Sequence, residues 1–229
     1  MSAVPILALD TSSAVAVAVV SPTGETLAAR SADEPRHHAE LLAPMVADAL
    51  DEAGVARTDL AAVVAGTGPA PFTGLRVGLV TARTLALALD VPAWGVPSVD
   101  ALAAAAARTA DPGTRVLVVT DARRREVYWC EYVTSNESIT VTAGPDIAAP
   151  AVLVESGRVD GALVVGRGAL LYADALGLRD EPTPLDPDPA ELAWLAIARA
   201  AAGGALPTTP LYLRHADATP PTAPKRARA

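Results

Sequence analysis

The sequence predicts an α/β fold built from two related halves. Apolar runs of strand length alternate with helical patterns along most of the chain. Two separate stretches open with a β-meander, and each ends its first strand on an aspartate, Asp10 and Asp121. Between them, residues 109–114 (Thr-Ala-Asp-Pro-Gly-Thr) have the composition of a boundary. The division is therefore residues 1–108 and 109–229, with an internal duplication behind it and less helix in the second half.

Composition narrows the function classes. The chain has 229 residues, 51% apolar but only 3% aromatic, so its core has to be built from Ala, Val and Leu. Its net charge is -8 and its pI about 4.8. An acidic chain is a poor direct ligand for nucleic acid, and few aromatics argue against base-stacking platforms. A single cysteine, Cys130, excludes an internal disulfide and a cysteine zinc cage. The start shows no basic-apolar-cleavage pattern, and the apolar run 15–20 is far short of the ~20 residues that span a bilayer. The expectation is a soluble cytoplasmic protein.

Taken in order, residues 6–9, 14–20 and 25–30 read as three antiparallel strands, with Asp10-Thr11-Ser12-Ser13 in the first turn. Residues 38–53 carry Leu41, Leu42, Met45, Val46, Ala49 and Leu50 at helical spacing. Pro44 inside this run predicts a kink or a late start, and Gly54 a C-cap. Residues 60–65 form a buried strand, followed by the glycine- and proline-rich stretch 66–78 and a helix over 73–89 that Asp90 closes. A short strand at 91–96 and an alanine-rich helix at 98–107 complete the first half. The second half starts with strands at 115–120, 126–133 and 138–142. Residues 149–156 are ambiguous, with a short helix one reading. A strand at 162–165 precedes Gly166-Arg167-Gly168, residues 180–189 are a proline-rich loop, and residues 190–202 are a helix stopped by Gly203-Gly204. Residues 210–214 read as extended, and the end, 216–229, as a disordered tail carrying Lys225, Arg226 and Arg228.

Several stretches could carry chemistry. Asp10 at a strand end could hold a metal or a water against a phosphate, with Thr11 and Ser12 as donors; the alternative is an Asx-type turn. The stretch 66–78 joins a strand to a helix N-terminus, a place that suits anions. It is no Walker A motif, and Pro69 and Pro71 remove two N–H donors. Gly74, Gly78 and Ala82 recur every four residues, a face on which a neighbouring element can pack closely. That neighbour lies either within the fold or across a subunit interface. His37 and His38 lack the further ligands of a metal site. No Gly-x-Ser-x-Gly elbow is present, so a serine hydrolase is not indicated. Asp121-Ala122-Arg123-Arg124-Arg125-Glu126 is a charged turn, either solvated or contacting a phosphate or partner through Arg123 or Arg124.

Six motifs occur in an order that resembles a known family: residues 7–12 (Leu-Ala-Leu-Asp-Thr-Ser), 38–42 (His-Ala-Glu-Leu-Leu), 68–78, 97–102, 121–128 (Asp-Ala-Arg-Arg-Arg-Glu-Val-Tyr) and 210–214. Nearly the whole chain resembles the TsaB (YeaZ) family of the bacterial machinery that makes N6-threonylcarbamoyladenosine (t6A) in tRNA. The resemblance implies the actin-like ATPase and sugar-kinase (ASKHA) fold, with two related subdomains and the second reduced. It implies a non-catalytic partner of the paralogue TsaD, the transferase, and support for recruiting the ATPase TsaE. It also implies homodimerisation when TsaD is absent, contact with tRNA only through the complex, and no membrane role.

Where TsaD places its two metal-binding histidines, this chain carries Ser98 and Leu102, so no metal and no cofactor are expected. The resemblance places the partner interface on the first two helices, at His38, Glu40, Leu41, Met45, Thr73, Gly74, Arg76, Val77, Gly78, Thr81, Ala82 and Leu85. Asp10, Thr11, Ser12, Gly68 and Thr73 are the candidate nucleotide or anion contacts. The family's usual Gly-Pro-Gly-Ser-Phe is Gly-Pro-Ala-Pro-Phe here, which stiffens the loop and weakens a nucleotide role. The alternative function is an ATP-dependent phosphotransferase or hydrolase of the same superfamily. A metalloprotease fails for want of ligands.

Overall fold

The structure, a computed structural model, describes residues 4–33, 37–136 and 138–214. The tail expectation for 216–229 lies outside the described residues. Short runs of Val, Ala and Leu make the first sheet: β1 (Ile6–Asp10), β2 (Val15–Val20), β3 (Thr26–Ala32), β4 (Ala62–Gly66) and β5 (Ala93–Val96). Its order is β3-β2-β1-β4-β5, with β1 antiparallel to β2 and parallel to β4. The central strands are apolar without alternation because both faces are covered. Leu7 and Leu9 face α1 (His38–Ala53) and α2 (Phe72–Leu89), while Ile6 and Ala8 face a helix from the far end of the chain.

Helix α1 starts at His38 and runs through Pro44 without the late start its proline suggests. Pro44 and Glu40, whose carbonyl loses its N–H partner, both lie on the exposed side where water can replace the bond. Gly54 closes the helix at φ 64°, and Asp90 closes α2 in the same left-handed conformation. Helix α3 (Ser98–Ala107) follows β5 after one residue.

The second sheet repeats the plan. Strands β6 (Arg115–Asp121), β7 (Val127–Ser135) and β8 (Ser138–Ala148) form a meander, and β9 (Leu163–Val165) joins β6 in parallel, giving the order β8-β7-β6-β9. Strand β8 runs six residues beyond the expected 142, through irregular register opposite Trp129 and Glu131. The ambiguous segment is helix α4 (Pro150–Glu155). After β9 come two short helices that the sequence pattern does not reveal, α5 (Arg167–Leu171) and α6 (Ala173–Leu176), each too short to show a helical period. Gly168 is needed there, since a Cβ would lie 2.7 Å from the Thr120 carbonyl carbon. Helix α7 (Pro189–Ala201) is capped by Asp188, whose carboxylate accepts from Ala190 N at 2.8 Å.

Packing interlocks the two sheets. Helix α7 buries Leu192, Ala193 and Ala196 on the outer face of the first sheet. Helix α3 buries Val99, Leu102, Ala103 and Ala106 against β6 and β7 of the second. A buried polar bridge joins them: Tyr132 donates to Asp100 Oδ1 at 2.7 Å, and Arg199 donates to Asp100 Oδ2 at 2.6 Å.

Candidate functional site

A cleft of about 810 Å³ opens beside the carboxyl end of β1. One wall is the α2 N-terminus with Phe72, Thr73 and Gly74; the other is Arg123 and the α5 residues Arg167 and Leu171. Thr11, Ser12 and Ser13 form the floor. Its cations are already paired. Arg167 grips Asp186 through Nε and Nη2 at 2.6 and 2.8 Å and reaches Asp33 at 2.9 Å, and Arg123 pairs with Asp121 at 3.0 Å. His38 edges the cleft, its Nε2 3.4 Å from the Ser13 carbonyl.

Of the expected anion contacts, Thr11, Ser12 and Thr73 reach this cleft, whereas Asp10 and Gly68 do not. Asp10 is buried beneath it, and the fold itself fills both its oxygens. Ser12 donates to Oδ1 from its backbone at 2.7 Å and its hydroxyl at 2.6 Å, and Ser98 donates to Oδ2 at 2.6 Å. Burial pushes the Asp10 carboxyl above its ordinary range despite these bonds. Ser98 also accepts from Gly68 N at 3.0 Å and donates its own N–H to Gly68 O at 2.8 Å. Asp10 thus forms an Asx-type turn with Ser12, extended by a serine 88 residues away. Ser98 is thus committed to this network and Leu102 to the core under the second sheet.

The small-residue face of α2 requires a correction. Gly78 and Ala82 are buried, and Gly78 meets the end of the chain's own first strand at Leu9 and Thr11. A Cβ on Gly78 would lie 2.5 Å from Thr11 Oγ1, and one on Gly74 2.8 Å from the Thr11 carbonyl. The close neighbour of Gly78 lies within the fold, and Gly78 and Ala82 are both buried in it. Glu40, Thr73 and Arg76 are exposed, and Leu41, Met45, Val77, Thr81 and Leu85 are half-buried along the seam of α1 and α2. The seam continues into a groove of about 690 Å³ lined by Val46, Leu50, Thr81 and Leu85. Val80 and Leu87 stand open on the same helix, 60% and 85% exposed; α2 carries apolar residues on every face, so its sequence does not single them out. By length and composition alone α2 could cross a membrane, but Leu75, Leu79, Ala82 and Ala86 bury one side of it on the first sheet.

The expected extended piece at 210–214 belongs to a longer strap, residues 206–214, running past β5 and α2. Gly95 N donates to Leu206 O at 3.0 Å and Leu211 N to Thr67 O at 2.9 Å. Tyr212 stacks on Phe72 with ring centroids 4.8 Å apart, and Arg214 pairs with Glu126. Sequence reasoning missed the Phe72–Tyr212 pair; the available signal was the chain's only phenylalanine, placed at the start of α2.

Two meander-led sheets with interlocked helices and a cleft at the end of β1 define the actin-like ATPase and sugar-kinase class of fold. The family model for TsaD, tRNA N6-adenosine threonylcarbamoyltransferase, matches residues 31–167. An uncharacterised protein of Mycobacterium leprae is 40% identical over 222 residues, 95% of this chain; the chain spans 57% of that relative's length. The tRNA threonylcarbamoyladenosine biosynthesis protein TsaB of Escherichia coli is 44% identical over 98 residues, 43% of this chain and 42% of that protein. The structure of YeaZ from Pseudomonas aeruginosa superposes with a TM-score of 0.75 at 30% identity, covering 91% of this chain and 100% of that one. The chain belongs to the TsaB (YeaZ) family.

Proposed function

We propose that this chain is a non-catalytic scaffold and activator subunit of the cytoplasmic machinery that forms t6A in tRNA, docking on TsaD and supporting recruitment of TsaE. The observation that carries this reading is Asp10, both of whose carboxylate oxygens are filled by Ser12 and Ser98. A carboxylate 1% exposed beneath the cleft and already holding three hydrogen bonds is poorly placed to take a metal or an attacking water. The alternative, an ATP-dependent phosphotransferase, would have to use cleft arginines already neutralised by Asp33, Asp121 and Asp186.

The docking face is the α1–α2 seam, centred on Leu41, Met45, Val77, Thr81 and Leu85 with Val80 exposed beside them. An apolar seam rimmed by Glu40 and Thr73 has the composition of a protein interface. Without TsaD the same face pairs two copies of this chain. The test is co-elution with TsaD on size exclusion with light scattering. Leu85→Asp is expected to abolish the complex. Because Leu85 also packs on the core, Val80→Asp, at a position 60% exposed beside the seam, is the companion variant. It is expected to weaken the complex while leaving the melting temperature of the free chain within about 3 °C. A complex that survives Leu85→Asp and Met45→Asp together would refute this face.

A further inference from the structure

We propose that a lane of arginines and aromatics, from Arg83 and Arg76 on α2 across Phe72 and Tyr212 to Arg125 at the β6–β7 turn, binds RNA directly through phosphates and an unstacked base. The inference rests on the reading of the chain as a tRNA-modification subunit and adds to it a contact with the nucleic acid itself.

Charge is the first argument. The chain as a whole is acidic and would repel a polyanion. Arg76, Arg83 and Arg125 nevertheless have no carboxylate partner among the described residues. Two of them are held by neutral groups: Arg76 Nε donates to the Tyr212 hydroxyl at 3.1 Å, and Arg83 donates to the Thr208 hydroxyl at 2.8 Å and to its carbonyl. These bonds orient the guanidinium groups without neutralising them, which suits them to recognising phosphate. The acids along the lane, Asp121 and Glu126, are matched by Arg123 and Arg214.

Aromatic exposure is the second. Phe72 is 46% and Tyr212 40% exposed, and they stack on each other with Arg76 3.4 Å above the Phe72 ring. A half-exposed aromatic pair with a guanidinium plane laid on it presents a stacking surface on which a splayed base can rest, whichever base it is.

Backbone strain is the third. Arg123, Arg124 and Arg125 take φ values of 63°, 55° and 63°. Each non-glycine residue in the left-handed region costs about 1 kcal/mol or more, and glycine would serve the turn more cheaply. The hairpin requires this backbone, but arginine in place of the cheaper glycine at all three positions sets a run of cations at its tip. The strap links the parts: Phe72 and Arg123 line one cleft, and Arg214, two residues after Tyr212, pairs with Glu126 at the turn that carries Arg125.

The experiment is fluorescence anisotropy of an unmodified tRNA transcript with the full-length chain, free of TsaD, titrated between low and physiological salt. Binding is expected, with a log K against log salt slope that Arg76→Ala, Arg83→Ala and Arg125→Ala each reduce by about 0.7–0.9 per lost phosphate contact. The triple variant should bind at least tenfold more weakly. Phe72→Ala should weaken binding roughly tenfold with no change in slope, the signature of lost stacking. Arg30→Ala, on β3 at the sheet edge opposite the strap, should bind as the parent chain does. No binding at the lowest salt, or a triple variant indistinguishable from the parent, would overturn the proposal. So would substitutions that spare RNA binding but break the complex with TsaD, which would make the lane a protein interface. RNA binding is read on the isolated chain and docking by co-elution, so either can fail alone.

Discussion

The Thr11 hydroxyl is inserted into the backbone ladder of α2, accepting from Gly78 N at 3.0 Å and donating to the Gly74 carbonyl at 2.8 Å. Residues four apart normally bond each other in a helix. Here a threonine from the end of β1 bridges them and fixes α2 to the first sheet. A Cβ on Gly78 would sit 2.5 Å from that hydroxyl and 3.3 Å from Leu9 Cδ1. Gly78→Ala should therefore destabilise the isolated chain by about 1–3 kcal/mol through overpacking. Thr11→Val should cost only about 1 kcal/mol, because Gly78 N can recover the Gly74 carbonyl. Urea unfolding of the two variants checks the order. A Gly78→Ala chain as stable as the parent would show that the contact is not tight.

This relationship marks where the sequence ceases to be legible. The spacing of Gly74, Gly78 and Ala82 correctly announces a close approach, but nothing local says that the approaching atom is 67 residues earlier in the chain. Helices α1 and α3 begin at the expected His38 and Ser98 because their apolar periods are long enough to read. Helices α5 and α6 are five and four residues long, and their order comes from packing on β6. Asp10 reads as a ligand or a turn with equal ease until Ser98 is seen beside it. The strap at 206–214 has no period because its bonds reach individual groups on β5, α2 and the β6–β7 turn.

Asp10 also has a consequence for pH. Burial, the dominant influence, holds its carboxyl above the ordinary 3.8, against the opposing bonds from Ser12 and Ser98. A folded-state pKa above the unfolded one means that the folded chain keeps this proton more tightly. The stabilisation is complete below the unfolded value and is lost as pH rises through the folded one. Asp10→Asn cannot titrate. The stability of the parent relative to Asp10→Asn should thus be most favourable near pH 4 and decline toward neutrality, in urea unfolding of both proteins across that range. A difference that grew with pH would mean that the fold favours the charged form.

Cys130 should be inert in the folded chain. It is 1% exposed, and burial pushes its thiol up to about 11. Only the thiolate reacts, so at pH 8 about one molecule in a thousand is competent, and that fraction is shielded. Ellman's reagent is expected to leave the native protein unlabelled while titrating one thiol in urea. Rapid labelling without denaturant would place Cys130 at the surface.

Arg167 ties the cleft together. From the start of α5 it forks onto Asp186 at 2.6 and 2.8 Å and reaches Asp33 at 2.9 Å, while Ser13 donates to the same Asp186 at 2.6 Å. One guanidinium thus joins the end of β3, the β1–β2 turn and the proline-rich loop. Asp33 is 67% exposed and its pair is screened by salt, whereas the two-point grip on Asp186, 25% exposed, is sheltered and directional. Arg167→Met should cost about 1–2 kcal/mol, most of it through Asp186. Arg167→Lys should recover little, since an ammonium cannot form the fork. Asp186→Asn alone should cost a similar amount, and the double variant should cost less than the sum of the two, with a coupling of about 1 kcal/mol. Strict additivity in a double-mutant cycle at 0.15 M salt would mean that the fork between Arg167 and Asp186 contributes nothing to stability beyond its separate parts.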